Sequence, residues 1–409
     1  MTDKRCYFCY TFFERRAGES MKIQMNKFGV KKMRQHYPLV QVDDIVSDLK
    51  TTSGWVDFVD QNGNFLAKGY LGKQNKGIGW VLSWQDELID QAFYARSFAK
   101  AKGMRQALFN DAATNTFRLF NGEGDGIGGI TIEWYDHYAI FSWYNHTLYE
   151  EKEKIIAAFK EIYPEVLGAY EKIRFISELP ESTHLYGQIA PEPLIVKENF
   201  VNFATYLNEG LMTGIFLDQR SVRGLLVDGL AAGKTLLNMF SYTGAFSVAA
   251  AMGGASSTTS VDLAKRSLPK TREQFEVNGL DVSAQKIHVM DVFNYFSYAL
   301  KKDLKYDVIV LDPPSFARNK KQVFKVKNNY GQLIAESLPI LSDDGIIIAS
   351  ANTANVTLEK FQQMIEKEFI TAKVDYRLLA TKRLPVDFQV NPAFPEGNYL
   401  KVLIYQVTQ

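Results

Sequence analysis

Residues 236–255 read LLNMFSYTGAFSVAAAMGGA. An apolar run enters a small polar turn, and an apolar, Ala-rich stretch leaves it: a buried strand, a tight turn and a helix. The strand ends at Asn238-Met239-Phe240, and Ser241, Tyr242, Thr243 and Gly244 make the turn. The small residues Ser241, Thr243 and Gly244 let backbone N–H groups approach a ligand closely. An ordinary strand-to-helix turn explains the same residues. The full G-x-G-x-x-G is missing, which disfavours a nicotinamide cofactor.

The same unit recurs downstream. TTSVD ends at Asp262, 18 residues after Gly244. An acid at a strand end there can accept hydrogen bonds from both hydroxyls of a ribose. KIHVM is followed by Asp291, placed to receive the exocyclic amine of adenine, although a solvated strand-end acid is the plainer reading. YDVIVL and GIIIAS are further buried strands, and EGNYLKVLIYQV reads as a final strand. Such alternation predicts an α/β fold with a mostly parallel sheet and helices on both faces.

Asp312-Pro313-Pro314-Ser315-Phe316 follows YDVIVL. Two prolines stiffen the loop at the carboxyl edge of the sheet, where open α/β sheets carry their sites. Asp312 offers acceptors to an amine or ammonium, and Phe316 offers a face to a base. Arg318, Lys320, Lys321, Lys325 and Lys327 come next with no acid between them. A charge run is commonly a solvated face. Beside a substrate loop it reads better as phosphate contacts, with Phe324 and Tyr330 as stacking rings.

Composition sets bounds. Lys plus Arg is 47 and Asp plus Glu is 46, so a globally basic nucleic-acid coat is excluded while a local patch is not. The five histidines have no metal-ligand spacing, and no metal is expected. Cys6 and Cys9 are the only cysteines, too few for a disulfide framework, and a cytoplasmic home is expected. No apolar run is long enough to span a membrane, and the first residues lack a signal peptide's apolar region.

Towards the start, residues 1–37 carry nine Lys/Arg against three acids. WVDFVD from Trp55, a turn at Asn62-Gly63, and glycines 69, 72, 77 and 79 before WVLSW read as a small β module. Helical spacing over 86–102, strands FRLF, ITIEW and YAIFSW, and an amphipathic helix over 150–163 read as a middle α/β domain. Residues 180–200, rich in Pro and Glu, read as a connector.

NxFSYTGAFSV, SVDxA, DPPSF, TGIFLDQR (213–220), FPEGNYLK (394–401) and GEGDGIGGITIE (122–133) occur together here. From about Met21 to the end, the chain resembles the large-subunit rRNA methyltransferases with an N-terminal PUA domain, typified by the 23S rRNA cytosine-5 methyltransferase. The resemblance implies an extension over 1–20, a PUA-like RNA-binding domain over 21–90, the middle domain over 91–198, and a Rossmann-like methyltransferase domain over 199–409 with an antiparallel last strand. It implies S-adenosyl-L-methionine as cofactor. Asn238 to Gly244 would hold its methionine end, with Phe240 and Ser241 beside it. Asp262 would take the ribose and Asp291 the adenine, and Asp312 would line the methyl-donor site. Leu217-Asp218-Gln219-Arg220 would close over the cofactor, Arg220 pairing with a carboxylate. Pro313, Pro314, Phe316, Arg318, Lys320 and Lys321 would meet the substrate. RNA, specifically 23S rRNA, is the implied partner, with no membrane; a homodimer is one possible assembly.

One position departs from that family. Its cytosine-5 members carry a nucleophilic cysteine after the strand that here reads GIIIASANTANVT, and Asn352 aligns with it. Cytosine C5 needs a thiolate at C6 before it attacks a methyl group. The stretch is similar to the Asn-bearing loop of the guanine-N7 rRNA methyltransferase domain, and a ring nitrogen needs only positioning and electrostatics. Asp312 and Asn352 are therefore the candidate catalytic residues, with guanine N7 the favoured target. Cytosine-5 methylation by another route, or a non-catalytic assembly factor that binds cofactor and RNA, are the alternatives. Asn352 as a mere cap of the helix after it is the bland reading of that residue.

Overall fold

The computed structural model describes residues 21–46, 53–74, 77–314, 316–318 and 323–409. The chain divides into two compact units, 1–87 and 88–409.

In the first unit a five-stranded sheet runs in the order Met21–Gln24, Gly54–Val59, Phe65–Leu71, Gly79–Ser83, Leu39–Val40. The expected turn joins Gly54–Val59 to Phe65–Leu71, with Gly63 at φ +82°. Gly69 has a different job. A Cβ there would come within 2.1 Å of the Trp80 carbonyl oxygen, so only glycine lets the two strands close. Ile23, Met25, Met33, Val56 and Phe58 form the core under the helix Lys27–Arg34, which Asn26 caps by accepting from Gly29 N at 2.9 Å.

The second unit holds two large sheets. The first runs Ser182–Gly187, Gly168–Ile173, Tyr138–Trp143, Ile130–Tyr135, Thr116–Asn121. Gly168–Ile173 is parallel to Tyr138–Trp143, joined through the helix Lys152–Ile162, and its other pairings are antiparallel. The expected connector over 180–200 is instead built of strands. Ser182–Gly187 joins this sheet, and Leu194–Glu198 pairs with Val201–Thr205 around a turn in which Asn199 and Phe200 both have positive φ. Val196 and Val201 are buried while Ile195 faces out, an alternation that the surrounding prolines and acids hid.

The other sheet has seven strands, ordered Lys286–Val289, Ser257–Asp262, Thr235–Met239, Tyr306–Leu311, Leu341–Asn352, Leu400–Thr408, Asp375–Lys382. The first five are parallel, and Leu400–Thr408 is antiparallel to both its neighbours. This is the expected Rossmann-like sheet with its antiparallel last strand. Leu237, Ile309, Ile347 and Tyr405 are fully buried on one face against Tyr330 and Phe361, and Leu236, Val308 and Ile348 on the other against Val222 and Phe246. Burial on both faces explains why these strands read as continuous apolar runs. The order reverses at Thr235–Met239, which opens a crevice at the carboxyl ends of the strands. A third core, with Tyr138, Ile140 and Tyr170 against Val196, Phe203, Val248 and Phe275, joins the two sheets into one body. Among the described residues no helix is long and apolar enough to cross a membrane.

Candidate active site

That crevice is a cavity of about 640 Å³ at the carboxyl edge of the seven-stranded sheet. Its floor is the turn after Thr235–Met239. Phe240 (φ +59°), Tyr242 (φ +52°) and Gly244 (φ +79°) all have left-handed backbones, and in Phe240 and Tyr242 this is strain typical of a ligand clamp. Ser241 N donates to Val261 O at 3.0 Å, and Tyr242 N donates to Asp262 Oδ2 at 2.9 Å. Thr243 Oγ1 donates to Gly214 O at 2.6 Å, tying the turn to the segment above it. Gly244 begins the helix Ala245–Met252, and a Cβ there would lie 2.5 Å from Thr271 Cγ2, so position and conformation both demand glycine.

Phe240, Ser241, Tyr242 and Thr243 line the cavity, as expected, and so do Asp262 and Asp291. Asp262 Oδ1 also accepts from Ala264 N at 2.8 Å, so two backbone amides fix its carboxylate at the strand end. Asp291 caps the helix Val292–Lys301, accepting from Phe293 N and Asn294 N at 3.1 and 3.3 Å. The Ser241 hydroxyl is buried with no hydrogen-bond partner, a group that a ligand's polar atom would satisfy. Buried hydroxyl, strand-end carboxylate and the flanking apolar faces of Phe240 and Leu263 suit a nucleoside cofactor carrying a polar tail. Ser241, Asp262 and Asp291 are the residues that would hold it.

Three of the residues expected at the cofactor do not line the cavity. Arg220 does not line the cavity. It is buried against Asp387, with Nη1 donating to Oδ2 at 3.2 Å and Nη2 donating to Oδ1, so its charge is already matched. Asn238 is buried beside the turn, its Nδ2 donating to Ser247 Oγ at 3.1 Å while its Oδ1 has no hydrogen-bond partner. Gly244 supports the turn from behind rather than facing the cavity.

The other half of the cavity belongs to the strands Tyr306–Leu311 and Leu341–Asn352. Asp312 Oδ1 accepts from Gln219 Nε2 at 3.0 Å, and the same Nε2 stands 2.7 Å from Ser350 Oγ. Burial pushes the Asp312 carboxyl up to about 6 against the pull of the Ser350 hydroxyl. Pro313, Pro314 and Asn352 complete this wall. Asn352 ends its strand, and it does not cap the following helix. Thr357 does, accepting from Lys360 N at 3.2 Å.

Phe316 and Arg318 enter a short strand, Phe316–Arg318, paired with Val323–Lys325, where the sequence suggested only a loop. Lys320 and Lys321 lie outside the described residues. Tyr330 is corrected: it is fully buried, its hydroxyl donates to Leu311 O at 3.0 Å, and its ring packs edge-on to Phe361. It belongs to the core and cannot stack on a base. No group of three or more His, Cys, Asp or Glu stands ready to hold a metal among the described residues.

Sequence reading missed Arg223 and Tyr399, and it placed Asp218 only as part of the segment expected to close over the cofactor. Asp218 lines the cavity, and its carboxyl is raised by burial while Tyr399 Oη donates to Oδ2 at 3.0 Å. Arg223 also lines it, paired with Glu198 at 2.7 and 2.8 Å and donating to Phe216 O at 2.7 Å. Asp218 and Tyr399 both stand inside quoted motifs, TGIFLDQR and FPEGNYLK, and that was the available signal.

Residues 180–396 match the model of a family described as S-adenosylmethionine-dependent methyltransferase, and residues 23–84 match a PUA-like domain. YwbD of Bacillus subtilis (strain 168), which carries a ribosomal RNA large subunit methyltransferase name, is 47% identical over 391 residues, or 94% of this chain and 99% of its own. Ribosomal RNA large subunit methyltransferase I of Yersinia pseudotuberculosis serotype O:1b is 31% identical over 352 residues, or 85% of this chain and 88% of its own. The crystal structure of SMU.776, described as a methyltransferase complexed with SAH, superposes with a TM-score of 0.90 at 46% identity, covering 94% of this chain and 100% of that one.

Proposed function

Because this chain belongs to the S-adenosylmethionine-dependent methyltransferase family, we propose that it methylates a base of large-subunit ribosomal RNA at a ring nitrogen, with guanine N7 as the target. S-adenosyl-L-methionine is its cofactor. The relatives' names and the PUA-like unit support RNA as the substrate.

One observation carries the choice of atom. Asn352, which by the resemblance aligns with the cytosine-5 enzymes' thiol, lines the cavity, and the chain has no cysteine after Cys9. Without a thiolate, cytosine C5 cannot be activated by addition at C6. A guanine N7 has its own lone pair: it bonds to the methyl carbon, the carbon–sulfur pair stays on sulfur, and the positive charge passes to the ring with no proton to remove.

The chain's residues then have three tasks. The left-handed turn and Asp262 hold the donor side. The Pro313-Pro314 loop and Asn352 form the wall against which a base would rest, and the Asn352 amide can donate or accept at its edge. Asp312, fixed by Gln219, places negative charge beside the reacting atoms. The effect is electrostatic and positional.

The test uses rRNA from a strain lacking the gene, methylated in vitro with labelled cofactor and set against wild-type rRNA. Label should enter only the deletion-strain RNA. RNA containing 5-fluorocytosine should form no covalent adduct, and recovery of one would overturn the nitrogen assignment.

A further inference from the structure

Asp218 lines the cavity from a closely fixed position. It directly precedes Gln219, whose amide holds Asp312. Its Oδ2 accepts from Tyr399 Oη. Tyr399 precedes Leu400, which pairs across the sheet with Asn352, and Lys401 Nζ pins that corner by donating to Thr353 O at 2.6 Å and Tyr399 O at 2.8 Å. Asp218 therefore lies on the Asp312–Asn352 side of the cavity, across the central strand from Asp262 and Asp291.

Asp218 is 7% exposed, and its carboxylate's fixed partner is a hydroxyl rather than a cation. The two nearby guanidinium groups are engaged elsewhere: Arg118 with Glu133 at 2.9 Å, and Arg223 with Glu198. Burying a carboxylate that makes no direct ion pair is costly, and such groups concentrate where a ligand supplies the missing donors.

We propose that Asp218 recognises the guanine base, accepting hydrogen bonds from its N1–H and exocyclic N2–H and stabilising the positive charge that the ring acquires when N7 is alkylated. This rests on the guanine-N7 reading above. Guanine presents those two donors side by side. Adenine has an acceptor at N1 and cytosine an acceptor at N3, so either would set a lone pair against the carboxylate. As N7 gains its methyl group, the ring becomes cationic and both N–H groups become stronger donors. The contact thus tightens towards the transition state, the condition under which binding accelerates a reaction. Tyr399 is a positioning residue that orients the carboxylate through its hydroxyl.

The test uses an RNA fragment spanning the modified nucleotide, with guanosine, inosine or 7-deazaguanosine at that position. Inosine keeps N7 and N1–H but lacks the N2 amine. The wild-type enzyme should methylate inosine about 10- to 100-fold less efficiently than guanosine, the range for losing a hydrogen bond to a charged group. Asp218→Asn should lose a similar factor on guanosine, mainly in kcat, and little more on inosine, while its cofactor affinity by calorimetry stays within about twofold of wild type. Equal wild-type rates on guanosine and inosine would overturn the proposal, and so would equal losses by D218N on both. If D218N fails to fold, the wild-type comparison decides alone. Methylation of 7-deazaguanosine would instead sink the N7 reading itself, separating the two failures.

Discussion

The Gln219 amide donates to the Asp312 carboxylate at 3.0 Å, and through this bond a residue outside the seven-stranded sheet fixes the acid at its carboxyl edge. The same nitrogen meets Ser350 on the next strand, so one side chain sets the spacing of the wall on which the base would rest.

A pH profile follows. Asp312 ionises near 6 in the folded chain, against 3.8 for an ordinary aspartate. Between those values the folded state holds a proton that the unfolded state has released, so this residue's contribution to stability falls as pH rises from about 4 to 6. The carboxylate proposed to face developing positive charge is the major form only above about pH 6. We expect kcat/KM to fall about tenfold per unit below that point, and Asp312→Asn to be slow and free of this inflection. An unchanged acid limb in D312N would remove Asp312 from the reaction.

Asp262→Ala should weaken the cofactor by about 2 kcal/mol, the scale of hydrogen bonds to a charged acceptor. It should also lower the melting temperature, because Tyr242 N and Ala264 N lose their acceptor. Calorimetry and thermal melts read the two effects separately. Unchanged cofactor binding would leave Asp262 as a turn support only.

Arg220→Met strands Asp387, whose Oδ2 also accepts from Arg118 N at 2.8 Å. Removing one partner of a buried pair costs about 3–5 kcal/mol, so the melting point should drop steeply. Cofactor affinity of the folded fraction should stay near wild type, since Arg220 does not face the cavity. Selective loss of cofactor binding without destabilisation would restore Arg220 to the cofactor.

Six strands of the seven-stranded sheet were legible, the central ones because burial on both faces makes them apolar runs, with Asp262, Asp291 and Asp312 at strand ends. The edge strand Asp375–Lys382 was not, because it is largely exposed and carries no such run. The cavity floor was legible from small residues at the end of one of them. What escaped were contacts between distant segments. Arg220 and Asp387 are 167 positions apart, and Tyr399 and Asp218 are 181 apart. Local spacing says nothing of either, so a free arginine near the site looked like an anion holder. Tyr330 misled for a similar reason: it follows a run of lysines, but it sits on the inward face of the helix Val326–Ser337.

Replacing Lys320, Lys321, Lys325 and Lys327 together by Ala should weaken RNA binding and leave cofactor binding intact. Each lost phosphate contact should reduce the log–log salt slope by about 0.7–0.9. An unchanged slope would assign those lysines to a solvated face.

The most direct measurement is the identity of the methylated nucleoside. After reaction with deletion-strain rRNA, the RNA is digested to nucleosides and separated by mass spectrometry. The proposed reading, with Asn352, Asp312 and Asp218 lining the cavity and taking the roles proposed above, predicts 7-methylguanosine. Recovery of 5-methylcytidine would contradict the account.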